Sequence, residues 1–199
     1  MGEIAEVVSD AVEKGRESRL NTIVAVAVSL TATFMALCNV KDGNVVQAMQ
    51  QAQANGVDAW AYYQAKSTKQ HMAESMVDQL SVTRDVTRDL TPEAKTLLDK
   101  KIAEYQTKAK LYETEKADIK TSAEGFQKQY DALNVHDDQF DAAEASLSIA
   151  VALFGTTALT QKRWMLAVAG TFAVFGVVLG LAGFLGKNLH PDFLAKILG

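Results

Sequence analysis

Apolar residues in this chain fall into three unbroken runs, and polar residues into one long block. No charge occurs between Leu20 and Val40, between Ala145 and Gln161, or between Trp164 and Gly186. These runs hold 21, 17 and 23 residues, and a bilayer-spanning helix needs about 17–25. The pattern predicts transmembrane helices at 20–40, 145–161 and 164–186, with a polar insert at 41–144 between the first and second. Residues 1–19 carry Ile4, Val7, Val8, Ala11 and Val12 at helical spacing among acidic residues, which predicts a short amphipathic helix. The tail at 187–199 places Phe193, Leu194, Ile197 and Leu198 after Pro191, the pattern of a helix lying at an interface.

The insert divides at its one proline, Pro92, where Thr91 is suited to cap a new helix. After it, Leu98, Ile102, Tyr105, Ala109, Tyr112, Lys116, Ile119, Ala123, Phe126, Tyr130 and Leu133 recur in steps of four and three, a coiled-coil seam broken only by Lys116. Before it, the matching seam is Val45, Met49, Ala52, Gly56, Ala59, Tyr63, Lys66, Gln70, Ala73, Val77 and Leu80, with Asn55-Gly56 as its weak point. Arms at 44–88 and 92–133 would extend about 67 and 63 Å at about 1.5 Å per residue, so their lengths match. An antiparallel fold about 88–91 sets Val77 against Ile102, Gly56 against Ala123 and Ala52 against Phe126. It also sets Lys66 near Tyr112 and Lys116 near Tyr63, a midsection expected to be mobile or to contact something else. The fold class expected is all-α: three transmembrane helices with a long antiparallel coiled-coil hairpin inserted after the first.

Small residues form a stripe in each span: Ala25, Ser29, Ala32 and Ala36; Ala145, Ser148, Ala152 and Gly155; and Ala169, Ala173, Gly176, Gly180 and Gly183. Helices in a bilayer associate through close packing, which such stripes permit. Three spans with a tight terminal pair cannot bury every stripe within one chain. The richest, on the third span, is therefore expected at a homo-oligomeric contact.

Overall composition hides this organisation, with 48% hydrophobic residues, 22% charged and a net charge of -4. The insert alone holds 13 Lys/Arg against 18 Asp/Glu, a local net of -5, which argues against nucleic acid as a partner. A soluble globular enzyme is largely excluded. Near the spans, Arg16, Arg19, Lys162 and Arg163 lie on one side and Lys41 and Lys187 on the other. The positive-inside rule then puts the N-terminus and the short loop in the cytoplasm and the hairpin in the periplasm. Trp164 suits a position at the interface.

Candidate chemistry is sparse. The single cysteine, Cys38, reads as a small packing residue in an uncleaved anchor, since Leu37 is too large to precede a lipoprotein cleavage site. His136, Asp137, Asp138, Asp141 and Glu144 offer oxygen and imidazole ligands to a cation. The favoured reading is that these acids lie at the start of the returning helix, capped by Asn134 or Asp137. Trp60, Tyr62 and Tyr63 beside Lys66, Lys69 and His71 read as interhelical packing rather than a stacking site. No phosphate loop, zinc spacing or nucleophile elbow is present, and the charge-free spans argue against a proton pump. No catalytic residue, cofactor or metal is assigned.

The stretches Ala32-Thr-Phe-Met-Ala-Leu-Cys38, Val40-Lys-Asp-Gly-Asn44, Gln47-Ala-Met-Gln-Gln-Ala-Gln53 and Asp58-Ala-Trp-Ala-Tyr-Tyr-Gln-Ala-Lys-Ser-Thr-Lys-Gln70 resemble a family of bacterial membrane proteins known only as a domain of unknown function. The resemblance covers most of the chain, and it implies a bacterial inner-membrane protein without implying a reaction. The expected role is a structural or scaffolding protein whose hairpin serves self-assembly or a protein partner. A homo-oligomeric channel and an accessory subunit of a membrane enzyme complex remain open beside it. The expected partners are the lipid bilayer, further copies of the chain and a protein bound through the hairpin.

Overall fold

A proline marks the break between the first two helices, and a left-handed residue, Gln161, the break between the last two. The structure, a computed structural model, describes residues 2–187 and 189, without the side chains of residues 2–11, 13, 17 and 18. Its helices are α1 (Gly2–Val86), α2 (Pro92–Thr160) and α3 (Arg163–Phe184). No strand occurs among the described residues. α1 runs 85 residues because no proline interrupts it. A glycine inside a helix costs only about 1 kcal/mol, so Gly15, Gly43 and Gly56 do not break it. At the start of α2, the Thr91 hydroxyl accepts a hydrogen bond from the Ala94 N–H at 3.2 Å, as a capping threonine should.

α2 is also continuous through residues 134–144, which corrects one expectation. No helix begins at Asn134 or Asp137, so neither caps one, and the acids near them do not stand at a positive helix end. The amphipathic segment at 1–19 is helical from Gly2, and its apolar side chains up to Ala11 lie outside the described residues. The expected interfacial tail at 187–199 lies outside them too, apart from Lys187 and Leu189.

The chain forms two compact units, one of residues 1–48 with 132–199 and one of residues 49–131. In the first, Leu20 and Val24 of α1, Ala150 and Phe154 of α2 and Ala169 of α3 make one buried cluster. Ala142 and Ala143 of α2 pack with Leu179 of α3. This unit reaches past the apolar runs into what the pattern assigns to the polar insert. Val45 and Phe140 are buried there at 7% and 1% exposure, and Phe140 meets Phe184 edge to face at 5.6 Å.

The second unit consists of two antiparallel helical segments joined by residues 87–91. Arg84 pairs with Asp99 at 3.0 Å, Lys66 pairs with Glu115, and the missing Cβ of Gly56 lies 3.7 Å from Phe126 Cβ. Every seam position read from the sequence is buried or half-buried, while the residues between them are mostly exposed. Ala52, Ala73, Ile102 and Ala123 are the most enclosed, at 2%, 4%, 6% and 0% exposure. Small residues facing large ones let the layers interdigitate.

Candidate functional site

The three small-residue stripes have different fates. On α3, Ala169, Gly176, Gly180 and Gly183 are buried and Ala173 packs against the first cluster. A Cβ added at Gly176 would stand 2.7 Å from Leu147 Cγ and 2.9 Å from the Ala143 carbonyl oxygen. At Gly180 it would stand 2.8 Å from Cys38 Sγ and from Phe34 Cε1, and at Gly183 2.7 Å from Phe140 Cζ. The α3 glycine face is therefore filled by large side chains of α1 and α2, and it is not free for the second copy expected there. On α1, by contrast, Ala25, Ser29 and Ala36 are exposed and Ala32 is half-buried. On α2, Ser148, Ala152 and Gly155 are exposed, and nothing approaches Gly155 within 4 Å. α1 instead buries the face carrying Leu20, Val24, Thr31 and Cys38.

Two polar ties that the sequence did not single out hold this unit at its ends. Gln139 is fully buried; its amide Nε2 donates to the Leu179 carbonyl at 2.9 Å, and its Oε1 accepts from the Leu189 N–H at 3.4 Å. Gln161 occupies the turn between α2 and α3 with a left-handed φ of 58°. Its amide donates to Asn21 Oδ1 on α1 at 2.9 Å. A lone Gln beside Asp138 or before Lys162 carries no periodic signal, and its partners are 40 and 140 residues away.

The acidic residues gather at the end of this unit where Asn39 of α1 donates to Glu144 Oε1 of α2 at 2.9 Å. Asp42 of α1 lies within hydrogen-bond reach of Asp137 of α2, with Asp141 and Glu144 close by. Burial pushes the Asp42 carboxyl up to about 7, reinforced by repulsion from Asp137 and Asp141. Burial likewise raises Asp137 and Asp141. Asp42 Oδ1 and His136 Nδ1 are buried without a hydrogen-bond partner. Among the described residues, no group of three His, Cys, Asp or Glu side chains is arranged to hold a metal ion. What this arrangement can do is bind protons across two helices.

In the second unit, the midsection is occupied rather than open. The Lys66 ammonium lies 5.3 Å from the ring centroids of both Tyr62 and Tyr112, and Lys116 lies 5.4 Å from that of Tyr63. Glu115 pairs with Lys66, which explains why a lysine is tolerated in the seam. Trp60 meets Tyr63 edge to face at 5.6 Å, yet Trp60 and Tyr62 remain 40% and 53% exposed. Nearby, the small side chains of Ala52, Gly56 and Ala123 leave a groove of about 270 Å³ walled by Trp60, Phe126 and Tyr130.

Among known proteins, one family profile, that of the Domain of unknown function (DUF4337), matches residues 20–186. No curated protein and no solved structure matches the chain.

Proposed function

The chain belongs to the family of the domain of unknown function DUF4337, and from that premise we propose an integral membrane scaffold with three spanning helices and a coiled-coil hairpin in the sequence between the first two. The observation that carries the reading is the exposure of the apolar stretches. The most apolar windows of α1, α2 and α3 are long enough to cross a membrane, yet only 17%, 39% and 28% of each is buried within the chain. Ile23, Val26, Leu30, Leu37, Val174 and Val178 are all at least half exposed. A contiguous apolar surface of that extent needs an apolar environment, and lipid supplies it over helices of this length.

The hairpin then serves self-assembly or a protein partner. Its aromatic-walled groove suits that role, because aromatic side chains are enriched at recognition surfaces. The exposed small residues Ala25, Ser29 and Ala36 on α1 suit close approach of a second copy within the bilayer. The membrane is the bacterial inner membrane, and the excess of Arg16, Arg19, Lys162 and Arg163 puts the hairpin on the periplasmic side. In this reading the protein is not an enzyme and carries no cofactor.

Native mass spectrometry of the detergent-extracted full chain tests the reading. A complex of several copies, or a stoichiometric protein partner, is expected. A lone monomer from native membranes would overturn the scaffold.

A further inference from the structure

The Asn21–Gln161 hydrogen bond, at 2.9 Å, ties the α2–α3 turn to the start of the apolar stretch of α1. It brings two short basic segments to one end of the three helices. Residues 13–19 contribute Lys14, Arg16 and Arg19 with the carboxylates Glu13 and Glu17, and residues 161–164 contribute Lys162 and Arg163 with none. All five cations are exposed, and none forms an ion pair with a described side chain. Trp164 and Leu159 stand beside them at 65% and 87% exposure. An exposed Trp next to cations suits the headgroup level of a bilayer. The opposite end of the same helices carries Asp42, Asp137, Asp141 and Glu144.

We propose that Arg19, Lys162 and Arg163 form a binding surface for the headgroup of an anionic phospholipid, seated beside Trp164 at the turn held by Asn21 and Gln161. The inference rests on the membrane reading above and adds the chemistry of the lipid. Arginine recognises phosphate oxygens through paired N–H donors, and lysine adds a point charge. The Gln161 tie matters because it brings the two chain segments that carry these cations together at one end of the unit. Each basic residue near an anionic leaflet strengthens binding severalfold.

The test uses the full-length protein in nanodiscs of phosphatidylcholine with one-fifth phosphatidylglycerol, released into native mass spectrometry to count retained lipids. Wild type should retain phosphatidylglycerol in preference to phosphatidylcholine. The variant Arg19→Gln/Lys162→Gln/Arg163→Gln should lose that preference by about tenfold or more. The variant Lys95→Gln/Lys100→Gln/Lys110→Gln, with the same loss of charge elsewhere, should keep it. Equal retention by wild type and the first variant, an equal loss in the second, or displacement of the retained lipid by inorganic phosphate alone would overturn the proposal. Failure of the membrane reading looks different: the protein would stay soluble without detergent and would not enter nanodiscs.

Discussion

Lys66 and Glu115 pair across the two helical segments of residues 49–131, with side-chain exposures of 12% and 37%. The lysine is further enclosed by the rings of Tyr62 and Tyr112. An enclosed ion pair is better evidence for register than for stability, since a well-packed apolar pair often does as well. Lys66→Ala should therefore lower the melting temperature of the hairpin more than the double change Lys66→Leu/Glu115→Leu, because the single change strands Glu115. Circular dichroism melts of both variants check the order. The hydrogen bond to Glu115 holds Lys66 above its ordinary value of 10.5. Its stabilisation is complete below that value and is lost as pH rises through the higher one, and the double variant should lack this alkaline loss.

Asp42 predicts a pH dependence of the same sign at lower pH, at the acidic end of the three-helix unit. Its ordinary value is 3.8, and burial beside Asp137 and Asp141 raises it to about 7 in the fold. Between those values the folded chain holds a proton that the unfolded chain releases, so stability falls as pH rises through that window. Above about 7 the penalty is constant, and below 3.8 it is absent. Thermal melts should therefore move upward on acidification from pH 8 to pH 5. Asp42→Asn should melt higher than wild type at pH 8 and flatten the pH profile.

The α3 glycines should differ in their tolerance of a methyl group. Gly176→Ala should be the worst, losing about 1–3 kcal/mol, because the new Cβ would meet a backbone oxygen as well as Leu147. Gly180→Ala and Gly183→Ala meet the ends of side chains, which can shift. Gly125→Ala has nothing within 4 Å and should gain up to about 1 kcal/mol from helix propensity. Denaturant unfolding in detergent micelles gives the ranking.

Gln161 combines a left-handed backbone with a useful side chain. Gln161→Gly loses the tie to Asn21 but relieves the backbone, whereas Gln161→Ala loses the tie and keeps the strain. Alanine should therefore be the less stable of the two by about 1 kcal/mol, again by denaturant unfolding.

The seam of residues 45–133 was legible in the sequence because a period of alternating threes and fours repeats across both arms, so one pattern checks the other. Even the Lys66–Tyr112 and Lys116–Tyr63 neighbours follow from an antiparallel count. The role of Glu115 did not, because it lies one position off the seam. The small-residue stripes were legible as stripes but not as contacts. Ala25, Gly155 and Gly180 look equivalent in sequence, and only the facing Phe34, Leu147 and Phe140 decide that α3 packs within the chain. The acids around Asp137 misled, since a break before the second apolar run was assumed and α2 has none. Bonds such as Gln161 to Asn21 join residues too far apart in sequence for any local pattern to reveal.

The central claim is a membrane-embedded chain whose polar insert folds back on itself as one hairpin. It is tested most directly by Val77→Cys/Ile102→Cys in a Cys38→Ser background, oxidised in native membranes, washed with alkaline carbonate and resolved on a non-reducing gel. A monomer with an internal crosslink, retained in the washed membrane pellet, is the predicted result. Crosslinks found only between chains, or release of the protein into the carbonate wash, would contradict the account.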